Sequence, residues 1–189
     1  MKRYIFILLL LCVFSLSALY SYTVYANLSE NLIRLHIVAN SNSEADQSIK
    51  LMVRDKIIAS TNSVPNPEAA TAIAQDVLKN CGIGYDAKAS FEECYVPEKS
   101  YKNIRLPEGY YTCLKVILGD GAGENWWCIA YPPLCFCEEI FGEMTDASMA
   151  LLENRLSDDS FRTIVKNGDV NFRFRIVEEF QKLRNSLSN

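Results

Sequence analysis

Leu32-Ile33-Arg34-Leu35-His36-Ile37-Val38-Ala39-Asn40-Ser41-Asn42-Ser43 decides how the chain is read. Its first eight residues are β-rich and loosely alternating, and the last four are turn and cap formers, so a strand stops there and a helix begins. Ser43 is placed as the N-cap with Asp46 at the third helical position; Ala45, Ile49, Met52, Val53 and Ile57 then mark one apolar face at helical spacing. Gln47, Lys50, Arg54 and Asp55 fall on or beside the polar face. Asn66-Pro67-Glu68 starts a second helix, with proline at its first position, and Ala69, Ala72, Ile73 and Val77 carry it to a stop at Cys81-Gly82.

Beyond Gly84 the pattern shortens into runs rich in tyrosine and β-branched residues, at 89–96, 110–118 and 127–131. Arg105-Leu106-Pro107-Glu108-Gly109 reads as a turn before the strongest strand, and residues 119–125 join that strand to the next. The remainder predicts a helix at 147–156, a charged strand at 171–176 and a final helix at 177–187. The fold class is α+β: one domain with a mixed or antiparallel sheet flanked by helices.

Lys2 and Arg3 precede an uncharged apolar run from Tyr4 to Leu19, and Val24-Tyr25-Ala26 has the small-x-small pattern of a signal-peptidase site. Residues 1–26 are therefore read as a signal peptide, or as a membrane anchor if they stay attached, and 27–189 as a single extracytoplasmic domain. The whole chain has a net charge of −4, and without Lys2 and Arg3 it stands at −6, which speaks against nucleic acid as a partner.

Glu124-Asn125-Trp126-Trp127-Cys128, closing in Tyr131-Pro132-Pro133-Leu134-Cys135-Phe136, concentrates both tryptophans within a short span. Adjacent residues on a strand point to opposite faces, so one tryptophan fills a core while the other is offered to a partner; Trp127 is favoured for the core and Trp126 for the contact. Pro132 and Pro133 end sheet pairing and hold Cys135 close to Cys128, the preferred disulfide in an exported chain. The other cysteines, Cys81, Cys94, Cys113 and Cys137, are read as thiols or further bridges. A metal site of Cys128, Cys135, Cys137 and His36 lacks paired C-x-x-C knuckles.

The catalytic signals are thin. His36 is the one histidine, which excludes H-E-x-x-H proteases; as a base it would serve Cys128 or Ser41, and neither has the context of a nucleophile. Gly119-Asp-Gly-Ala-Gly looks like a phosphate loop but runs into a strand, not a helix, and Asp120 with Glu124 gives too few oxygens for calcium. Arg173 and Arg175 alternate with apolar residues, as a half-buried edge strand requires. No cofactor is implied.

These residues resemble the stage II sporulation protein R signalling proteins of endospore-forming Firmicutes. The resemblance rests on residues 33–43 with Asp46-Gln47 and Lys50-Leu51-Met52-Val53-Arg54-Asp55, on Arg105-Leu106-Pro107 with Gly109-Tyr110, on residues 119–136, and on Phe174-Arg175-Ile176-Val177-Glu178. Asn42 departs from the aspartate usual in the family's Ala-Asn-Ser-Asp pattern. What the resemblance implies is a messenger, not an enzyme: a protein exported from the forespore into the space facing the mother cell, where it triggers a membrane-embedded aspartic-type protease to process pro-sigma-E. The contact surface expected for it combines His36, Asn40, Ser41, Arg54, Asn125, Trp126, Trp127, Pro132 and Pro133. The competing expectation is an exported cell-wall-active enzyme or peptidoglycan-binding module, separated by whether His36 reaches a cysteine or serine in an open cleft.

Overall fold

The structure, a computed structural model, describes residues 2–60, 65–100, 103–132 and 145–165, with isolated positions 179, 183, 186 and 187. The expected strand at 171–176 and most of the final helix lie outside the described residues. Helix α1 (Lys2–Asn31) leads into β1 (Ile33–Val38), α2 (Glu44–Ser60) and α3 (Pro67–Asn80). Then come β2 (Ala87–Val96), the short β3 (Lys99–Ser100) and β4 (Arg105–Leu106), β5 (Gly109–Leu118) and β6 (Asn125–Tyr131), and finally α4 (Asp146–Arg155) and α5 (Asp158–Ile164).

The sheet runs in the order β2-β5-β1-β6. β1 is parallel to β5 and antiparallel to β6, and β2 is antiparallel to β5, so the sheet is mixed and the fold α+β as expected. β3 and β4 form a separate small ladder where the sequence read only a turn.

Alternation on the strands feeds two cores. Leu35 and Ile37 of β1 with Leu114, Val116 and Leu118 of β5 face Ile49, Val53 and Ile57 of α2 and Ala70, Ala74 and Leu78 of α3. On the other face Tyr111, Cys113, Cys94 and Ile129 pack with Leu152 of α4, Leu156 at its C-cap and Ile164 of α5.

The caps sit where the sequence put them. Ser43 Oγ accepts from Asp46 N at 3.1 Å, and Asn66 Oδ1 accepts from Ala69 N at 2.7 Å. The apolar face of α2 is narrower than periodicity suggests, since Ala45 and Met52 are exposed, while Lys50 and Arg54, read as polar-face residues, are buried. They are buried because β6 crosses above them: Lys50 Nζ donates to the Glu124 carbonyl at 3.1 Å, and the Arg54 guanidinium lies 5.0 Å from the Trp126 ring centre.

α1 is the described helix long and apolar enough to cross a membrane, with a mean hydropathy of 2.3 over its most apolar stretch. Its first turns are bare, but its last turns belong to the domain: Val24, Tyr25 and Leu28 are buried in the second core, and Ser21 is buried as well. Tyr25 Oη donates to the Tyr110 carbonyl at 2.7 Å, and its ring meets Tyr111 edge-on at 5.9 Å. Gly109, at φ +153°, admits the Tyr25 ring where any Cβ would collide with it. The boundary drawn after Ala26 thus falls inside a continuous helix, with core residues on both sides of it.

Candidate functional site

At one end of the sheet, the close of β1, the loop 119–124, the start of β6 and the first turn of α2 converge, and most of the expected contact residues gather there. The loop is lashed down by its own backbone. Gly119 N donates to Asp86 O, Asp120 N to Asn40 Oδ1, Gly121 N to Leu118 O, Ala122 N to Asn40 O, Gly123 N to Ala39 O and Glu124 N to Asn42 Oδ1. No amide of that stretch is left for a phosphate, which disposes of the anion-loop reading.

Asn40 and Ser41 also turn inward. Ser41 Oγ (2.5 Å) and Asn40 Nδ2 (2.9 Å) donate to Asp46 Oδ2, and Tyr85 Oη donates to Oδ1 at 2.7 Å. The Ser41 hydroxyl above all, then Tyr85 and Asn40, hold the Asp46 carboxyl down to about 2. This cluster ties β1 to α2 and to the loop before β2. Sequence reasoning treated Asp46 only as a cap-box residue, because Tyr85 is brought to it by tertiary packing.

The tryptophans do point to opposite faces. Trp126 packs on the α2–α3 core and carries Arg54; Trp127 packs on the other core and stacks on His36, with ring centres 3.5 Å apart and planes within 16°. Both are half-buried. Asn125 is exposed, and its Oδ1 lies 2.6 Å from His36 Nε2. Since an amide oxygen only accepts, Nε2 carries the proton and Nδ1 is left facing Cys94 Sγ at 3.8 Å.

His36 therefore reaches Cys94, not Cys128 or Ser41, and the two side chains are only 6% and 8% exposed, a buried contact and not an open cleft. Arg34 lies on the same face, fully buried; its Nε donates to Cys128 O at 3.0 Å, its guanidinium lies 5.4 Å from the Tyr111 ring centre, and Nη1 and Nη2 have no hydrogen-bond partner among the described residues. Alternation put Arg34 and His36 on one face of a strand, but Cys94 and Cys113 come from strands whose register no local signal gives.

Pro132 is buried after a cis Tyr131–Pro132 bond, so it is not a contact residue in this arrangement, and Pro133 lies outside the described residues. Cys128 is disulfide-bonded; its expected partner Cys135 also lies outside them. Among the described residues no group of three metal-ligating side chains occurs.

The domain is built on a mixed sheet, is continuous with an apolar helix of spanning length, and presents Asn125 and the half-exposed edges of Trp126 and Trp127 to solvent over a buried His36. The stage II sporulation protein R family model matches residues 29–140, and the chain belongs to that family. It is 33% identical over 129 residues to Stage II sporulation protein R of Bacillus subtilis (strain 168), a match covering 60% of this chain and 58% of that protein. The chain thus spans 58% of the length of the relative it matches. No solved structure matches. The family places the chain in sporulation, and α1 fits export or anchoring.

Proposed function

We propose that this chain is an exported sporulation signal, released or held by α1 in the space between forespore and mother cell, that activates a membrane-embedded aspartic-type protease processing pro-sigma-E. The observation that carries the reading is family membership in a chain whose tryptophan strand stands at the exposed end of a domain joined to a membrane-length helix. A ligand activates an enzyme only by binding its active arrangement better than its inactive one. Trp126 and Trp127, each backed by a buried cation or imidazole and rimmed by Asn125, are rigid, amphipathic and half-exposed, the properties of an interface anchor. The test is reconstitution of protease and pro-sigma-E in vesicles with and without the full chain; processing at the same rate without it ends the proposal.

The residues expected to carry the effect are the tryptophans. Half-burial limits the folding cost of Trp126→Ala to about 2 kcal/mol, below the 3–5 kcal/mol of a core tryptophan, so the variant stays folded. Protease activation by it should fall about thirtyfold, the factor that corresponds to about 2 kcal/mol for an interface anchor. Trp127→Ala should lose similar stability and unstack His36. Thermal unfolding beside the processing assay separates the two effects, and normal signalling by both variants removes this strand from the mechanism.

The runner-up, an exported cell-wall-active enzyme, has the Cys94–His36 contact in its favour. Burial of both side chains leaves no bed for a polymer at that contact, so Cys94→Ser is expected to leave pro-sigma-E processing intact.

A further inference from the structure

The face of the sheet turned from α2 and α3 brings together Arg34 and His36 of β1, Cys94 of β2, Cys113 of β5 and Asn125 of β6. Cys94 and Cys113 are both free thiols and both buried. In the β2–β5 ladder Cys94 is paired with Tyr111 and Glu92 with Cys113, so the two cysteines are diagonal neighbours on one face of the sheet. His36 presents Nδ1 to Cys94 Sγ at 3.8 Å, and its ring cannot turn away, being held by Asn125 at Nε2 and by Trp127 along its plane. Beside them Arg34, in register with Cys113, places a buried positive charge whose Nη1 and Nη2 have no hydrogen-bond partner among the described residues. A buried cation lowers the cost of an anion near it, and among the described residues this one has the Tyr111 ring, 5.4 Å away, and no carboxylate within ion-pair distance.

We propose that Cys94 and Cys113 form a redox-active dithiol that exchanges with small disulfides, with Cys94 as attacking thiolate, Cys113 as resolving thiol and His36 as the positioning acid–base partner. This stands independently of the protease-activation reading. Cys94 passes its proton to His36 Nδ1, and the thiolate attacks one sulfur of a disulfide RSSR. The Cys94–S–S–R bond forms, the S–S bond of RSSR breaks, and the departing RS⁻ takes the proton back from the imidazolium. Cys113 then attacks the Cys94 sulfur and expels the second RS⁻, to which its own proton goes. Two protein thiols are oxidised to one disulfide and one small disulfide is reduced to two thiols.

The acidities are divided as such a pair requires. Contact with the Cys113 thiol, then His36, holds Cys94 below an ordinary thiol against the opposing pull of burial and Glu92, whereas Cys94 and burial push Cys113 well up. A nucleophile that is ionised and a partner that is not is the order of events written above. Diagonal strand neighbours stand farther apart than a relaxed disulfide prefers, so closing this bond draws β2 and β5 together and leaves it readily reduced. The pair is therefore a reversible couple and not a staple.

The experiment uses the full chain in detergent, incubated with glutathione disulfide, quenched in acid, alkylated and mapped by mass spectrometry. Peptides linked through Cys94 and Cys113 are expected, and reduced glutathione should reopen them. Cys113→Ser should stop at a Cys94–glutathione adduct. Below its pKa a thiol loses about tenfold in thiolate per pH unit, so oxidation of the wild type should slow by well under tenfold per unit as pH falls from about 8 to about 6, whereas His36→Gln should slow far more steeply, approaching tenfold per unit. If Cys94 of the folded wild type forms neither linkage nor adduct while exposed Cys81 reacts, or if its rate already falls tenfold per unit, the proposal is overturned, however the variants fold.

Discussion

A chain beginning at Asn27 is expected to be less stable than the full chain by about 3–6 kcal/mol, because it lacks Val24 and Tyr25 and fully burying each such side chain is worth about 1.5–3 kcal/mol. That is a large part of the 5–15 kcal/mol that holds a typical domain together, about enough to unfold a marginal one. The loss adds the orphaned Tyr110 carbonyl and an open slot over Gly109, and it frays the start of the turn that carries Leu28. Thermal unfolding of both chains in the same detergent measures the difference. Tyr25→Ala in the full chain should reproduce about half of it, and equal stability of the two chains refutes the docking of α1. The outcome bears on delivery: if the export helix is part of the fold, exchanging residues 1–26 for an unrelated signal costs folding as well as targeting.

Asp46→Ala is the second large effect. It strips the acceptor from Ser41, Asn40 and Tyr85 together, and because these donors are half-buried, at about 1 kcal/mol for each the loss should reach about 3 kcal/mol. The charge gives an independent signature. Asp46 has a folded pKa of about 2 against 3.8 unfolded, so it binds its proton less readily when folded and stabilises the native state above pH 4. That contribution, about 2 kcal/mol, is lost as pH falls from about 4 towards 2. Urea unfolding from pH 7 to pH 2 should show the decline in the wild type, and Asp46→Asn should flatten that part of the curve. An unchanged slope in Asp46→Asn assigns the acid sensitivity to other carboxylates.

How far the sequence reached can be read element by element. Ser43, Asn66 and Pro67 announce helices because capping is local chemistry, and the tyrosine-rich runs announce β2, β5 and β6 within two residues of their observed starts. Helix α5 was passed over although Ser157 followed by Asp158 and Asp159 is a start signal of the same kind, with Ser157 Oγ accepting from Ser160 N. α1 was read by composition as an export device, and composition cannot tell that Val24, Tyr25 and Leu28 have a core to enter. The His36–Asn125–Trp127 grouping was partly visible, since all three were singled out as contact residues. Cys94, Cys113, Tyr85 and the buried state of Arg34 were not, because each depends on which strand lies beside which, and the parallel β1–β5 pairing joins residues some eighty positions apart.

That same pairing bears on how the chain would cross a membrane if it is exported as proposed. β1 is made early and sits in the middle of the sheet, yet one of its neighbours, β5, does not exist until residues 109–118 have been synthesised, and the other, β6, comes later still. Until then Leu35 and Ile37 have no ladder to join, and pairing across so long a loop is intrinsically slow. The first hundred residues behind α1 thus have little reason to collapse while the export channel is still threading them. The sheet can close only after its C-terminal strands have emerged on the far side, with the helix that led the chain out already waiting as one wall of the core.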